Sequence, residues 1–504
     1  MSNSNRYDTI IVGAGLGGLA TASMLARKGR RVLVLERHYL PGGYATFFKR
    51  KDFTFDVSLH SFDGVVDGGS SYDIVRACGV ADRIEFIPHK KLYRVIGENL
   101  DFSVYHRQID EYKRGLSQMF PHERENLDRL FAESEKAYEQ VGKFFVTSMP
   151  FWLKMMMMPF MFYKILKYEH STVDEFLSRY VQDPQLKKLI AVQWSYYGLP
   201  PERLAYNYFG YPFIDYLKFG GYSIRGSSQS LSNALVDVIR ENGGSVLTSR
   251  TVTKILVEKG RVRGVEGSKD VGTVYADEVI SNLSPHATIR LAGAEHFPAK
   301  FLTKLDQMEI SISGLQVYLG LDCTLAELGV QQDDYIIFVT KKTPLTQQYE
   351  TMKANEIENG TTAFSLNLFS NIDDTLVPKG KSSLGLFTLC GGEYWQKLSK
   401  AEYKARKISV TETLVRQADE VVPGLASHIE VCETGTPRTM TKFTSNPGGS
   451  FYGFAQSISQ AGMLRRFPQK YPLKGLYQVG AWTFPGAGYI GTLMGAKFLV
   501  DRYF

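Results

Sequence analysis

The residues best equipped for chemistry stand near the start of the chain. Gly13-Ala-Gly15-Leu16-Gly17-Gly18 follows the β-branched run Asp8–Val12 directly, and Glu36 comes eighteen residues after Gly18. In that order Gly13 permits a tight turn out of a strand and Gly15 lets backbone approach a pyrophosphate. Gly18 lets the following helix pack closely on the sheet. A helix N-terminus offers free N–H groups and a partial positive charge to phosphate. Glu36 ends the run Arg31–Leu35, where a carboxylate can accept both ribose hydroxyls of an adenosine and disfavours a 2′-phosphate. The arrangement predicts dinucleotide binding. Two further residues are candidates for moving a proton or orienting a ligand: His60, in Leu59-His60-Ser61, and Tyr452, beside Gly448-Gly449. Histidine suits that task because its ordinary pKa lies near neutrality. The other eight histidines show no pairing, and no Ser/His/Asp or Cys/His set is recognisable.

The elements needed to hold these groups can be read around them. Asp8–Val12 and Arg31–Leu35 are short apolar runs of the kind buried on both faces of a parallel sheet. Leu19–Lys28 carries Ala, Met and Leu at helical spacing and stops at Gly29. Later, Gly220–Gly226 precedes an amphipathic helix over 231–240, Asn242-Gly-Gly244 and a strand over 245–248. Val252, Ile255, Gly264-Val265 and 275–282 follow. Gly475–Ala481 predicts a strand running into a turn, and Phe484-Pro-Gly486-Ala-Gly488-Tyr-Ile-Gly491 precedes a final helix over 492–503.

The whole chain of 504 residues, 44% hydrophobic and 22% charged, has the composition of a large globular protein. Its net charge of +7 is spread out, with no basic block of the kind that would bind nucleic acid. Cys78, Cys323, Cys390 and Cys432 lie far apart without a CxxC pair, which argues against a metal site and a disulfide framework. Reduced thiols suit a cytoplasmic location. The longest apolar runs are too short to span a bilayer.

The order GAGxGGL, V-L-E, Gly42-Gly43 and Phe53-Thr-Phe-Asp56 resembles that of the FAD-containing amine oxidases and carotenoid desaturases. With its C-terminal motif, the chain looks like the carotenoid desaturase, carotenoid cis–trans isomerase and retinol saturase group. The resemblance implies an α/β fold: a Rossmann-like FAD-binding domain of the amine-oxidase type, built from 1–85, 218–290 and 455–504. A mixed α+β substrate domain, 86–217 and 291–454, would be inserted in it. FAD is the implied cofactor. Leu16 and Gly17 belong to the first glycine loop, while Arg37 and Tyr44 flank the second glycine pair. That pair, Gly42-Gly43, would touch the pyrophosphate and ribityl chain. Val252 would meet the adenine, and Asn282, Leu59, His60 and Ser61 would lie near the flavin. Gly480, Ala481, Gly488, Tyr489 and Ile490 would close the site from the C-terminus. One departure stands out, because many relatives carry an acid where this chain has Ala481.

The implied activity is redox chemistry or redox-neutral isomerisation at C=C bonds of a lipophilic polyene, a carotenoid or retinoid. An amine oxidase and a flavin-bound prenyl-lipid escort are the alternatives. No residue pattern names the electron partner. Residues 144–168 hold two apolar runs rich in Met and aromatics, with Lys154, Lys164 and Lys167. Such a segment suits peripheral membrane contact with snorkelling lysines, or a lid packed on the substrate domain. Pro150 and Pro159 are expected to interrupt its helix.

Overall fold

A computed structural model describes residues 6–58, 60–147, 149–462 and 465–504. The strand Arg6–Val12 lies between Val32–Leu35 and Thr273–Ser281, parallel to both, with Thr9 opposite Val32 and Glu278. Ile10, Ile11 and Val32–Leu35 are buried, as a strand covered on both faces requires. The helix Leu16–Arg27 buries Leu16 through Ala26, and Gly29 (φ +81°) turns the chain back. Ser245–Leu247 extends the sheet beyond Val32–Leu35. On the other side Val252–Glu258, Arg261–Gly267 and Thr273–Ser281 form an antiparallel meander. Leu476–Gln478 joins parallel to the C-terminal half of Thr273–Ser281. Three stretches hundreds of residues apart thus share one seven-stranded sheet.

The second sheet also has seven strands, in the order Ile429–Gly435, Ser313–Leu321, Ser382–Cys390, Phe364–Asn367, Ile336–Val339, Lys91–Gly97 and Leu100–Tyr105. Only the pair Ile336–Val339 and Lys91–Gly97 is parallel. Leu315, Val317, Leu319 and Leu321 pack with Leu414 of the helix Lys400–Val421. From the same strand Tyr318 packs on Phe48 and Phe55 instead, as alternation along a strand requires.

The helix Leu16–Arg27 packs against Ser228–Glu241 and Gly488–Tyr503. Ser228–Glu241 begins three residues earlier than its apolar periodicity suggests, because Asp56 receives the Ser228 N–H at 2.7 Å and its hydroxyl at 2.8 Å. The C-terminal helix likewise starts early, at Gly488 rather than 492. In the Met-rich segment Pro150 is the N-cap of the helix Phe151–Met161, but Pro159 lies inside that helix rather than interrupting it. A proline near a helix end is tolerated when few hydrogen bonds remain beyond it. No helix among the described residues is long and apolar enough to cross a membrane.

Candidate functional site

A single cavity of about 1080 Å³ runs from the glycine loop to the Met-rich segment. Ligand pockets commonly hold roughly 300–1000 Å³, so this one has room for more than a single small ligand. Its first wall is the turn after Val12. Gly13 (φ +97°) adopts a backbone conformation that a side chain disfavours. Gly15 caps the helix Leu16–Arg27 without a side-chain acceptor, which leaves first-turn N–H groups for a ligand. A Cβ at Gly17 would meet Gly480 Cα at 2.8 Å, and one at Gly15 would meet Asn282 Nδ2 at 2.5 Å. Asn282 therefore sits where the N-terminal, middle and C-terminal stretches converge, its N–H bonded to Val12 O at 2.9 Å.

Glu36 Oε2 accepts the Ala14 N–H and Oε1 the His38 N–H, each at 2.7 Å. These bonds fix the carboxylate at the cavity end that Val252 and Arg37 also line. Arg37 donates to Lys442 O at 2.8 Å, drawing the 443–446 loop over this end. Gly42 bonds Ala14 O, and Gly43, Tyr44 and Ser61 continue the wall. Ala481, Gly488, Tyr489 and Ile490 close it from the C-terminus, with Phe62 stacked on Tyr489 at 4.6 Å. Gly18 stands behind the wall, facing Gly13 and Ile11. Leu59 falls outside the described residues.

His60 lines the same cavity and is buried. Its Nδ1 lies 3.2 Å from the Tyr196 hydroxyl, which donates to Asn367 Oδ1 at 3.1 Å. Since that proton is committed, His60 must donate through Nδ1, and Nε2 keeps a bare lone pair without a partner. Burial pushes the imidazole pKa down to about 3. A neutral ring in this tautomer has no proton to give at Nε2, and that nitrogen is itself sealed off from the cavity. Tyr452 also lines the cavity, but its hydroxyl donates to Ser195 O at 2.8 Å and is held as an acceptor.

Sequence reasoning passed over Asp63 and the tyrosines 197, 208, 211 and 216, all on the cavity wall. Asp63 lies only two residues beyond Ser61, but nothing in its local sequence marks it as facing a ligand. The tyrosines come from helical segments whose packing the chain alone does not reveal. The Met-rich segment supplies the far wall. Met158 and Phe162 are buried against Phe144, and Met155, Phe145 and Ile165 pack there too. Trp152 (67% exposed), Met156 and Phe160 (75%) point outward at four-residue spacing, joined by Tyr163 and Leu166. Two of the three lysines do not snorkel. Lys164 is buried against Glu133, with Nζ–O distances of 2.6 and 2.7 Å, and Lys154 donates to Phe144 O at 2.7 Å. Pairing inside the protein outcompetes exposure because the largely buried Glu133 carboxylate gains a close cation from Lys164.

The donor set fits FAD: an uncapped helix N-terminus and closely spaced glycines suit a pyrophosphate, and a fixed carboxylate suits a ribose. An apolar, aromatic chamber beyond them suits a flavin ring. The described cysteines form no disulfide. Prolycopene isomerase 1, chloroplastic, from an Oncidium hybrid cultivar is 27% identical over 515 residues, covering 100% of this chain and 84% of that protein. All-trans-retinol 13,14-reductase from Danio rerio is 24% identical over 528 residues, covering 97% and 84%. The solved structure of a putrescine oxidase bound to putrescine shares the fold, with a TM-score of 0.63 at 13% identity over 98% of each chain. The family of flavin containing amine oxidoreductases matches residues 16–496. The chain belongs to that family and is an FAD-dependent enzyme.

Proposed function

We propose that the protein acts on C=C bonds of a lipophilic polyene, a carotenoid or retinoid, taken up from a membrane surface that it touches peripherally. The observation that carries this reading is the continuity of the cavity. One chamber links the glycine loop and Tyr489 to Phe144, Met155, Met158 and Ile165, and the outer side of that last segment exposes Trp152, Met156 and Phe160. A small amine would need no such passage. The names of the two relatives, an isomerase of prolycopene and a reductase of retinol, support the same substrate class.

The FAD-binding domain in this reading comprises 1–85, 218–290 and 455–504, and the substrate domain 86–217 and 291–454. When bound, FAD supplies hydride transfer to or from a carbon of the substrate. The chain's own groups do the rest. Phe387 and Tyr318 of the second sheet, with Phe451 from the loop that follows Pro447–Gly449, present an apolar roof, which excludes water and holds a conjugated chain by area contact. His60 holds the Tyr196 ring in place on the wall through its Nδ1.

The test uses purified, FAD-loaded protein and liposomes containing a panel of carotenoids and retinol, with the flavin oxidised or reduced. Products are read by chromatography with mass spectrometry. A change of two hydrogens establishes desaturation or saturation, and a new retention time at unchanged mass establishes isomerisation. No change in any polyene, with peroxide formed from simple amines, would overturn the proposal in favour of an amine oxidase.

A further inference from the structure

The chamber is apolar over most of its wall, but the stretch from His60 to Asp63 is not. Asp63 faces the cavity, and among the described residues no side chain donates a hydrogen bond to it. Its neighbour Asp215 is well supplied, receiving the Tyr138 hydroxyl at 2.6 Å and the Ser70 hydroxyl at 2.8 Å. Burial, reinforced by the Asp215 charge, pushes the Asp63 carboxyl well above the usual carboxylate range. Burial raises the Asp215 carboxyl too, but its donors pull it back, and Asp63 has no side-chain donor to do the same. Three residues away, His60 is more than nine-tenths buried and its Nε2 has no partner.

Buried polar groups are almost always hydrogen-bonded. That imidazole nitrogen is sealed from the chamber, but Asp63 leaves on its wall a carboxyl that burial holds toward the protonated form and that no side chain supplies. A plain hydrocarbon polyene would desolvate this carboxyl without pairing with it, whereas an alcohol oxygen can exchange a hydrogen bond with it. We infer that Asp63 is a specificity-determining residue that binds an alcohol oxygen on the polyene, so that the substrate is an oxygen-bearing polyene rather than a pure hydrocarbon. This rests on the polyene reading above and narrows it.

The test compares all-trans-retinol with its deoxy analogue, in which hydrogen replaces the hydroxyl. Binding to the FAD-loaded protein is followed by the change in flavin absorbance. Wild type is expected to prefer the alcohol about ten-fold, the effect of one buried group left unpaired. Asp63→Asn, which still offers a donor and an acceptor, should keep most of that preference. Asp63→Leu should reduce it to less than about two-fold at unchanged flavin content. Equal affinity of wild type for the two compounds, or a preference that survives Asp63→Leu, overturns the inference while leaving the polyene reading intact. If wild type binds neither compound nor any carotenoid of the panel, the polyene reading itself falls. The wild-type comparison stands even where Asp63→Leu does not fold.

Discussion

His60 and Tyr196 are joined ring nitrogen to hydroxyl at 3.2 Å, and the commitment of the Tyr196 proton to Asn367 makes the histidine the donor. That bond orients the ring, and burial favours its neutral form. With a folded pKa near 3 against 6.5 for an ordinary histidine, the unfolded chain binds the extra proton between those values. The stability contributed by neutral burial is fully present above pH 6.5 and is lost as pH falls toward 3, by at most about 1.4 kcal/mol per pH unit. His60→Gln should therefore flatten the acid limb of a Tm-against-pH profile below pH 6.5. The limb should not vanish, because His89 is depressed in the same way. An unchanged slope would show that His60 is already charged in the folded protein.

Glu36 spends both oxygens on backbone N–H groups, and through them it shapes the ribose end of the cradle. Hydrogen bonds to a charged group contribute about 1.5–3 kcal/mol, so Glu36→Ala should weaken FAD binding about 10- to 100-fold. Flavin fluorescence during titration of the apoprotein measures it. Wild-type affinity in that variant would remove Glu36 from the site.

Gly17→Ala should also empty the cradle, for a different reason. Its Cβ would meet Gly480 Cα at 2.8 Å, and neither partner has a flexible side chain that can swing away. Overpacking of this kind costs about 1–3 kcal/mol, which thermal denaturation should detect together with loss of flavin absorbance. Gly29→Asn is the control: its positive φ tolerates Asn and nothing lies within 4 Å, so flavin content should not change.

The outward face of the Met-rich helix gives a prediction about lipid. Burying a large apolar side chain contributes roughly 1.5–3 kcal/mol when complete, and less at an interface. The double variant Trp152→Ser and Phe160→Ser should thus lose about 10- to 100-fold in liposome partitioning in a flotation assay, with flavin loading intact. Equal flotation would leave the segment as a lid alone.

Lys164 makes a contrasting case on the inner side. Removing one member of a buried ion pair leaves the other uncompensated, which commonly costs about 3–5 kcal/mol. Lys167 and Tyr168 also reach Glu133 and soften the loss, so Lys164→Met should destabilise by about 2–3 kcal/mol in urea. A neutral effect would mean that Glu133 is satisfied without Lys164.

The glycine loop and its carboxylate, the proposed cofactor end, were legible in the sequence. Gly13 through Gly18 and Glu36 are contiguous or nearly so, and their chemistry follows from a local strand–turn–helix whose geometry is set by backbone sterics. The same holds for the loop before the final helix, although its first turn began earlier than local pattern could show. Only the tertiary structure decided what stands opposite. Asn282 meets Gly15 and Gly480 because parallel pairing draws Thr273–Ser281 and Leu476–Gln478 beside Arg6–Val12, a pairing between residues hundreds of positions apart. The tertiary structure also decided the state of the titratable groups. His60 and Asp63 stand three residues apart, yet burial pushes the pKa of the histidine down and that of the aspartate up, the latter with help from the Asp215 charge. Lys164, which by pattern belonged at a lipid surface, turned inward because Glu133 was there to receive it. Charge and burial are properties of the surroundings, and the surroundings of each group come from parts of the chain that its own neighbours in sequence do not specify.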